Sequence, residues 1–414
     1  MRIKPISISL SPNTEQDDIL LAFKLLLQPW LWKKGASTLA LEQEFTQYIG
    51  TEYAYSFNSG RSALFAILRS LGLQQGDEVL LQTFTCNAVP NPVLWAGLKP
   101  VYVDCREDDF NINPVDLEKK ITPKSRVVII QHTFGLPADM DRIMEICNRR
   151  NIILVEDCAH ALGATYKGKK VGTFGEAAFF SFSRDKVISC VYGGMATTND
   201  PVLAENLKKF QETVGYPSLC WIAQQLLHPI LMNWIILPTY GLLGKYLLIF
   251  FQWLHILSKA VHWKEKRGKM PGYFPRRLPN VLAILAFHQF AKLERFNTHR
   301  KQIAALYVKE LSNTKYKILD TKYQEGNIFL RFPVVHPNAH EIIKKAWSQN
   351  LLIGDWYTTP IAPHDTQLDA VGYSMGSCPI AERLAKITLN LPTHIRISQK
   401  DAETIAKFLK SVET

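Results

Sequence analysis

Ile152-Ile153-Leu154-Val155-Glu156-Asp157, and then Ala177-Ala178-Phe179-Phe180-Ser181-Phe182-Ser183-Arg184-Asp185-Lys186, decide how this 414-residue chain is read. Both open as short, continuous apolar runs, the pattern of strands covered on both faces of a mainly parallel sheet. The first ends in an acid, and a lysine follows the second. Ligands of open α/β sheets sit at the carboxyl ends of the strands. An acid and a lysine at that place suit pyridoxal phosphate: the acid keeps a pyridine nitrogen protonated so that the ring can take up electrons, and the lysine forms a Schiff base and later moves protons.

Residues 55 to 200 repeat this grammar. Glu78-Val79-Leu80-Leu81, Pro100 to Asp104, Arg126 to Gln131 and Ile152 to Val155 read as strands, and Arg61 to Leu71 has helical spacing after a Gly/Ser turn. Beyond about residue 272 the pattern changes to a long helix from Val281 to about Leu311, a strand-like stretch (Asn327 to Val335), and helices over Ala339 to Gln349 and Lys400 to Val412. The expected class is therefore α/β. A large domain occupies 1–212, a hydrophobic segment 213–271, and a connecting helix with a small α+β domain 272–414.

Around Lys186 the sequence resembles the DegT/StrS-type sugar aminotransferases, a branch of the fold-type I pyridoxal phosphate enzymes. The resemblance is carried by Glu156-Asp157-Cys158-Ala159-His160-Ala161-Leu162-Gly163-Ala164, Val171-Gly172-Thr173-Phe174-Gly175, Ser181-Phe182, Lys186 and Gly193-Gly194. Upstream it includes Asn58 to Leu64, Thr83 to Ala88 and Gly135 to Met140, and downstream Leu391-Pro392-Thr393-His394. It implies a seven-stranded-type sheet sandwiched by helices. It also implies Lys186 as the Schiff-base lysine, Asp157 under the pyridinium nitrogen, Phe84 stacked on the ring and His160 near its phenolic oxygen. Ser181 and the helix start Gly60-Arg61-Ser62 would take the phosphate, since free N–H groups at a helix start are a ready anion site. Arg61 replaces a more usual threonine. Tyr192 stands where the family often has glutamate, and Pro275 falls near where a partner-subunit asparagine commonly reaches the phosphate; Arg277 still matches.

The segment between the domains is unlike the family's shorter, more polar connection. Thr213 to Gly244 and Tyr246 to Ser258 contain no charged residue, and the run ends in Lys264-Glu265-Lys266-Arg267-Gly268-Lys269. Each half is broken by proline, histidine or lysine and falls short of the roughly 20 apolar residues that a span requires. Three readings stay open: extra core or a dimer surface, an interfacial helical hairpin over 218–263 held by the basic cluster, and a true span. Seven scattered cysteines without a C-x-x-C pair argue against a disulfide framework and a zinc site and for a reducing compartment. The start, Met1 to Pro5, does not read as a signal peptide. The expected location is therefore the cytoplasm, at the inner face of the membrane where the hairpin docks. The formal charge of +11 fits anionic lipid or phosphorylated substrates better than nucleic acid, because the basic residues are dispersed.

The resemblance implies an aminotransferase that takes nitrogen from L-glutamate, delivers it to a nucleotide-linked keto-sugar for polysaccharide or glycoconjugate synthesis, and works as a homodimer; the hydrophobic segment suggests a lipid-linked acceptor instead. A pyridoxal phosphate lyase or dehydratase, and a non-catalytic membrane-docking regulator, are the alternatives. Lys186 counts against the first, because related sugar dehydratases lack it; Lys186, Asp157 and Ser181 together count against the second.

Overall fold

The computed structural model describes residues 3–319 and 325–413. Its centre is a seven-stranded sheet of β1 (Tyr53–Phe57), β2 (Glu78–Gln82), β3 (Lys99–Val103), β4 (Ser125–Gln131), β5 (Ile153–Asp157), β6 (Ala177–Ser181) and β7 (Gly194–Thr198). The spatial order is β1-β7-β6-β5-β4-β2-β3, with only β7 running against its neighbours. The apolar runs are continuous because alternate residues face different layers. Val79, Leu81, Val127 and Ile129 pack with Ala63, Leu64 and Ile67 of the helix Gly60–Ser70. Leu80, Val128, Ile130 and Leu154 pack with Met140, Ile143 and Ile146 of the helix Met140–Arg150.

The expected long helix is two helices, Asn280–Phe290 and Leu293–Leu311. The first is apolar almost all round and buried against the helix Ser37–Ile49, whereas the second is amphipathic and packs on Gln399–Ser411. They serve different cores, and the chain turns between them at Lys292, whose ammonium reaches Asp17 (2.6 Å) and Asp18 (3.1 Å). The small domain is a sheet of Lys317–Ile318, Arg331–Val335 and Thr388–Pro392 under the helices Ala339–Ser348 and Gln399–Ser411.

The 213–271 segment is helical: Leu219–Leu231, two π-helical turns (Met232–Ile236 and Tyr240–Gly244) and Lys245–Trp253. Among the described residues one stretch, Leu219–Ile236, is long and apolar enough to cross a membrane, and half of it is buried inside the protein. It packs against the N-terminal helix Gln16–Leu26. The helix Lys245–Trp253, by contrast, has no buried residue.

Candidate active site

β5 and β6 lie side by side and parallel, with Asp157 opposite Phe179, so their carboxyl ends open onto one cleft. The cleft has a volume of about 280 Å3 and includes Gly60, Asp157, His160, Ser181 and Lys186 in its wall. Asp157 is buried, and burial pushes its carboxyl up to about 6. The Ala159 N–H, donated to Oδ1 at 3.0 Å, and the charge of Lys186 oppose that rise. Burial also holds the Lys186 amine below the ordinary lysine range, against the pull of Asp185, Cys86 and Asp157. Its Nζ lies 4.6 Å from the centre of the Trp356 ring. His160 is buried in a stack between Phe134 and Trp356, with ring centres 6.4 and 5.2 Å away. Burial, with the charges of Lys186 and Arg331, keeps its imidazole neutral. Its Nδ1 is shut off from solvent without a partner.

The lysine loop is fixed from behind. Arg300, fully buried in the helix Leu293–Leu311, donates to the Val187 carbonyl at 2.7 Å and to Asn13 Oδ1 at 2.8 Å, and Asn13 in turn donates to the Lys186 carbonyl. At the other end of the cleft, Ser59 caps the helix Gly60–Ser70 by accepting the Ser62 N–H at 3.0 Å. The first intrahelical bond is Ala63 N–H to Ser59, so the Gly60 and Arg61 N–H groups precede it. A Cβ on Gly194 would sit 2.4 Å from the Gly60 nitrogen, and one on Gly60 would sit 3.0 Å from Ser181 Cβ. Glycine at both places keeps the helix start open toward Ser181.

Two expected contacts are corrected. Phe84 does not reach the cleft; it is fully buried, stacked on Phe110 (5.6 Å) and edge-on to Tyr357 (5.3 Å). Its φ of 67° turns the chain so that Thr85 and Cys86 line the cleft instead. Ser62 is likewise buried, its hydroxyl donated to Asn58 Oδ1 at 2.8 Å. Arg61 does line the cleft, but its guanidinium pairs with buried Glu265 at 2.9 Å and donates to the Ala260 carbonyl at 3.1 Å. Further residues line the site: Ser59, Cys86, Trp356 and Tyr357, and from the apolar segment Ala260 and Val261. Tyr192, in place of the usual glutamate, donates its hydroxyl to the Lys259 carbonyl at 2.7 Å.

These residues fit pyridoxal phosphate on the chemistry of the donor set. The helix start and Ser181 face the phosphate end, a buried carboxyl suits a ring nitrogen, an amine of lowered basicity suits the carbonyl carbon, and the unpartnered His160 Nδ1 is free for a polar atom of the ring.

The chain matches the model of the DegT/DnrJ/EryC1/StrS aminotransferase family over residues 13–217 and 251–410. It is 37% identical to the GDP-perosamine synthase of Escherichia coli O157:H7 over 182 residues, 44% of this chain and 50% of that protein. It is 27% identical to the UDP-N-acetyl-3-dehydro-alpha-D-glucosamine 3-aminotransferase of Acidithiobacillus ferrooxidans over 396 residues, 95% and 94% of the two chains. The structure of S. venezuelae DesV superposes with a TM-score of 0.73 at 26% identity, covering 96% of this chain and 94% of that one.

Proposed function

The chain belongs to the DegT/DnrJ/EryC1/StrS aminotransferase family, and from that membership we propose that it moves an amino group from L-glutamate to a keto-sugar carried on a nucleotide or a lipid. The observation that carries the reading is the convergence of Asp157, at the end of one strand, and Lys186, just past the end of its parallel neighbour, on one cleft. The names of the two relatives above, both of nucleotide-linked sugars, support a sugar acceptor.

Pyridoxal phosphate supplies, when bound, the carbon that carries the amino group and the ring that takes up electrons. Lys186 holds the cofactor before a donor arrives. Its lowered basicity raises the share of neutral, nucleophilic amine near neutral pH. Its Nζ would be the base that takes the donor's Cα proton and delivers it to the cofactor carbon that receives the nitrogen. Asp157 is ionised above about pH 6 and would hold a proton on the ring nitrogen. Neutral His160 would hydrogen-bond the ring's phenolic oxygen, and the backbone N–H groups of Gly60 and Arg61 with the Ser181 hydroxyl would bind the phosphate. Trp356 and Tyr357 wall the cleft beside Lys186 and exclude water.

The working unit we infer is a homodimer, docked at the inner, cytoplasmic face of a membrane through 218–263. Leu242, Leu243, Tyr246, Ile249, Phe250 and Trp253 are exposed, and Phe23 of the N-terminal helix joins them, its ring 5.9 Å from that of Trp234. From residue 213 to 264 there is no acid, while Lys245, Lys259 and Lys264 are present. Aromatic and aliphatic side chains beside an excess of cations suit an anionic lipid surface.

The deciding experiment is the visible spectrum of the protein with pyridoxal phosphate, before and after L-glutamate, beside Lys186→Ala. A band that needs Lys186 and bleaches with glutamate is expected. A band that no amino donor alters would refute amino transfer.

A further inference from the structure

The cleft's phosphate end holds the guanidinium of Arg184, which rests over the Tyr192 ring at 5.3 Å and pairs with no carboxylate among the described residues. Arg184 and Arg61 both line it. Arg61 is neutralised by Glu265 at 2.9 Å, and neighbouring Asp185 is taken up by Arg331 at 3.1 Å. Among the described residues no carboxylate forms an ion pair with Arg184, and a guanidinium stays charged throughout the working pH range. A half-buried cation without a paired carboxylate is costly, so such a charge is expected where an anionic ligand supplies the missing partner.

The geometry is specific as well. Both terminal nitrogens of Arg184 are used: Nη1 donates to the Ser258 carbonyl at 2.6 Å and Nη2 to the Ser258 hydroxyl. The Ser258 hydroxyl passes its own proton to Gln225 Oε1 at 2.8 Å. What remains is Nε, buried and without a partner. Ser258 therefore fixes the guanidinium while leaving one N–H unspent, on a side chain that lines the same cleft as Ser181, Ser183 and Gly60. The segment that holds Ser258 is tied to this end at two further points, by Arg61 to the Ala260 carbonyl and by Tyr192 to the Lys259 carbonyl.

We propose that Arg184 is a phosphate-reading residue, aimed by Ser258 of the chain's own apolar segment and completing the phosphate end from within one chain. This rests on the reading of the cleft as the pyridoxal phosphate site. Ser258 is on this view a positioning residue, and the 258–265 limb is part of the cofactor site.

The test compares two probes on the full-length protein, pyridoxal phosphate and phosphate-free pyridoxal, by titrating the Lys186-dependent visible band. For Arg184→Gln, pyridoxal phosphate affinity is expected to fall about ten-fold or more, the worth of one charge-assisted hydrogen bond, with pyridoxal affinity unchanged. Arg184→Lys restores part of the loss, and Ser258→Ala gives a smaller loss of the same selectivity. Equal losses for both probes, or no loss for either, overturn the proposal. If Arg184→Gln does not fold, the Lys and Ser258→Ala variants decide by the same ratio. Failure of the wild type to form the band with either probe would instead sink the cofactor reading itself.

Discussion

Asp157 gives the most quantitative prediction. Its folded carboxyl titrates at about 6 against an ordinary 3.8, with burial as the main cause. A carboxyl raised on folding contributes stability that is fully present below the unfolded value and is lost as pH rises through the folded one. At about 1.36 kcal/mol for each pH unit, the gap is worth about 3 kcal/mol. In the cofactor-free protein this loss falls between about pH 4 and pH 6.5. Asparagine keeps the shape of the protonated acid and cannot ionise. Urea unfolding of cofactor-free wild type and Asp157→Asn from pH 4 to pH 7.5 isolates the contribution, since other titrating groups cancel in the difference. The variant is expected to gain about 3 kcal/mol relative to wild type across that window. Adding pyridoxal phosphate is expected to reverse the trend, because the ionised carboxylate then faces a protonated ring nitrogen. A difference that stays flat with pH would refute both the buried acid and its role under the ring.

Three further outcomes are expected. Glu156 is fully buried and accepts the Gly172, Phe174 and Gly175 N–H groups at 2.7 to 2.9 Å. Glu156→Gln puts an amide against those donors and should cost about 2–4 kcal/mol in urea unfolding, while the Lys186-dependent band survives. Cys86 lines the cleft and Cys220 is exposed elsewhere, so bound pyridoxal phosphate should slow iodoacetamide labelling of Cys86 but not of Cys220, read by peptide mass spectrometry; equal labelling would remove Cys86 from the cofactor wall. The full chain should float with phosphatidylglycerol-containing vesicles and not with pure phosphatidylcholine, and Phe250→Glu with Trp253→Glu should abolish this without altering the spectrum. If those variants instead halve the mass seen by light scattering, the exposed apolar face belongs to a second copy.

What the sequence made legible was local. Continuous apolar runs ending in Asp157 or followed by Lys186 are strands for reasons that need no tertiary knowledge, and the strand ends locate the site. What it concealed depended on backbone sign and on distance. The left-handed φ at Phe84 breaks the alternation of a strand end, so the aromatic points into the core and Cys86 into the cleft. Arg61 reads as a phosphate contact until Glu265, 204 positions away, takes its guanidinium. The break at Lys292 is invisible in a helical pattern because both halves are helical; only the acids of the N-terminal helix and two separate cores account for it.

The apolar segment shows the same limit most sharply, because composition sets it apart as an appendage while the structure ties it to the active cleft. The family model passes over 218–250 and resumes at 251, just before the limb that holds Arg184 and Arg61. Removing 218–263 would strip Ser258 and Ala260 from the phosphate end together with the exposed apolar face of Leu242 to Trp253. Lost activity in such a deletion would then say nothing about membranes. Charge substitutions on the exposed helix Lys245–Trp253, which buries none of its residues, leave that limb in place. They therefore separate a docking surface from a cofactor wall, and the two roles predict opposite results: vesicle binding lost with the cofactor band intact, or the band lost while binding persists.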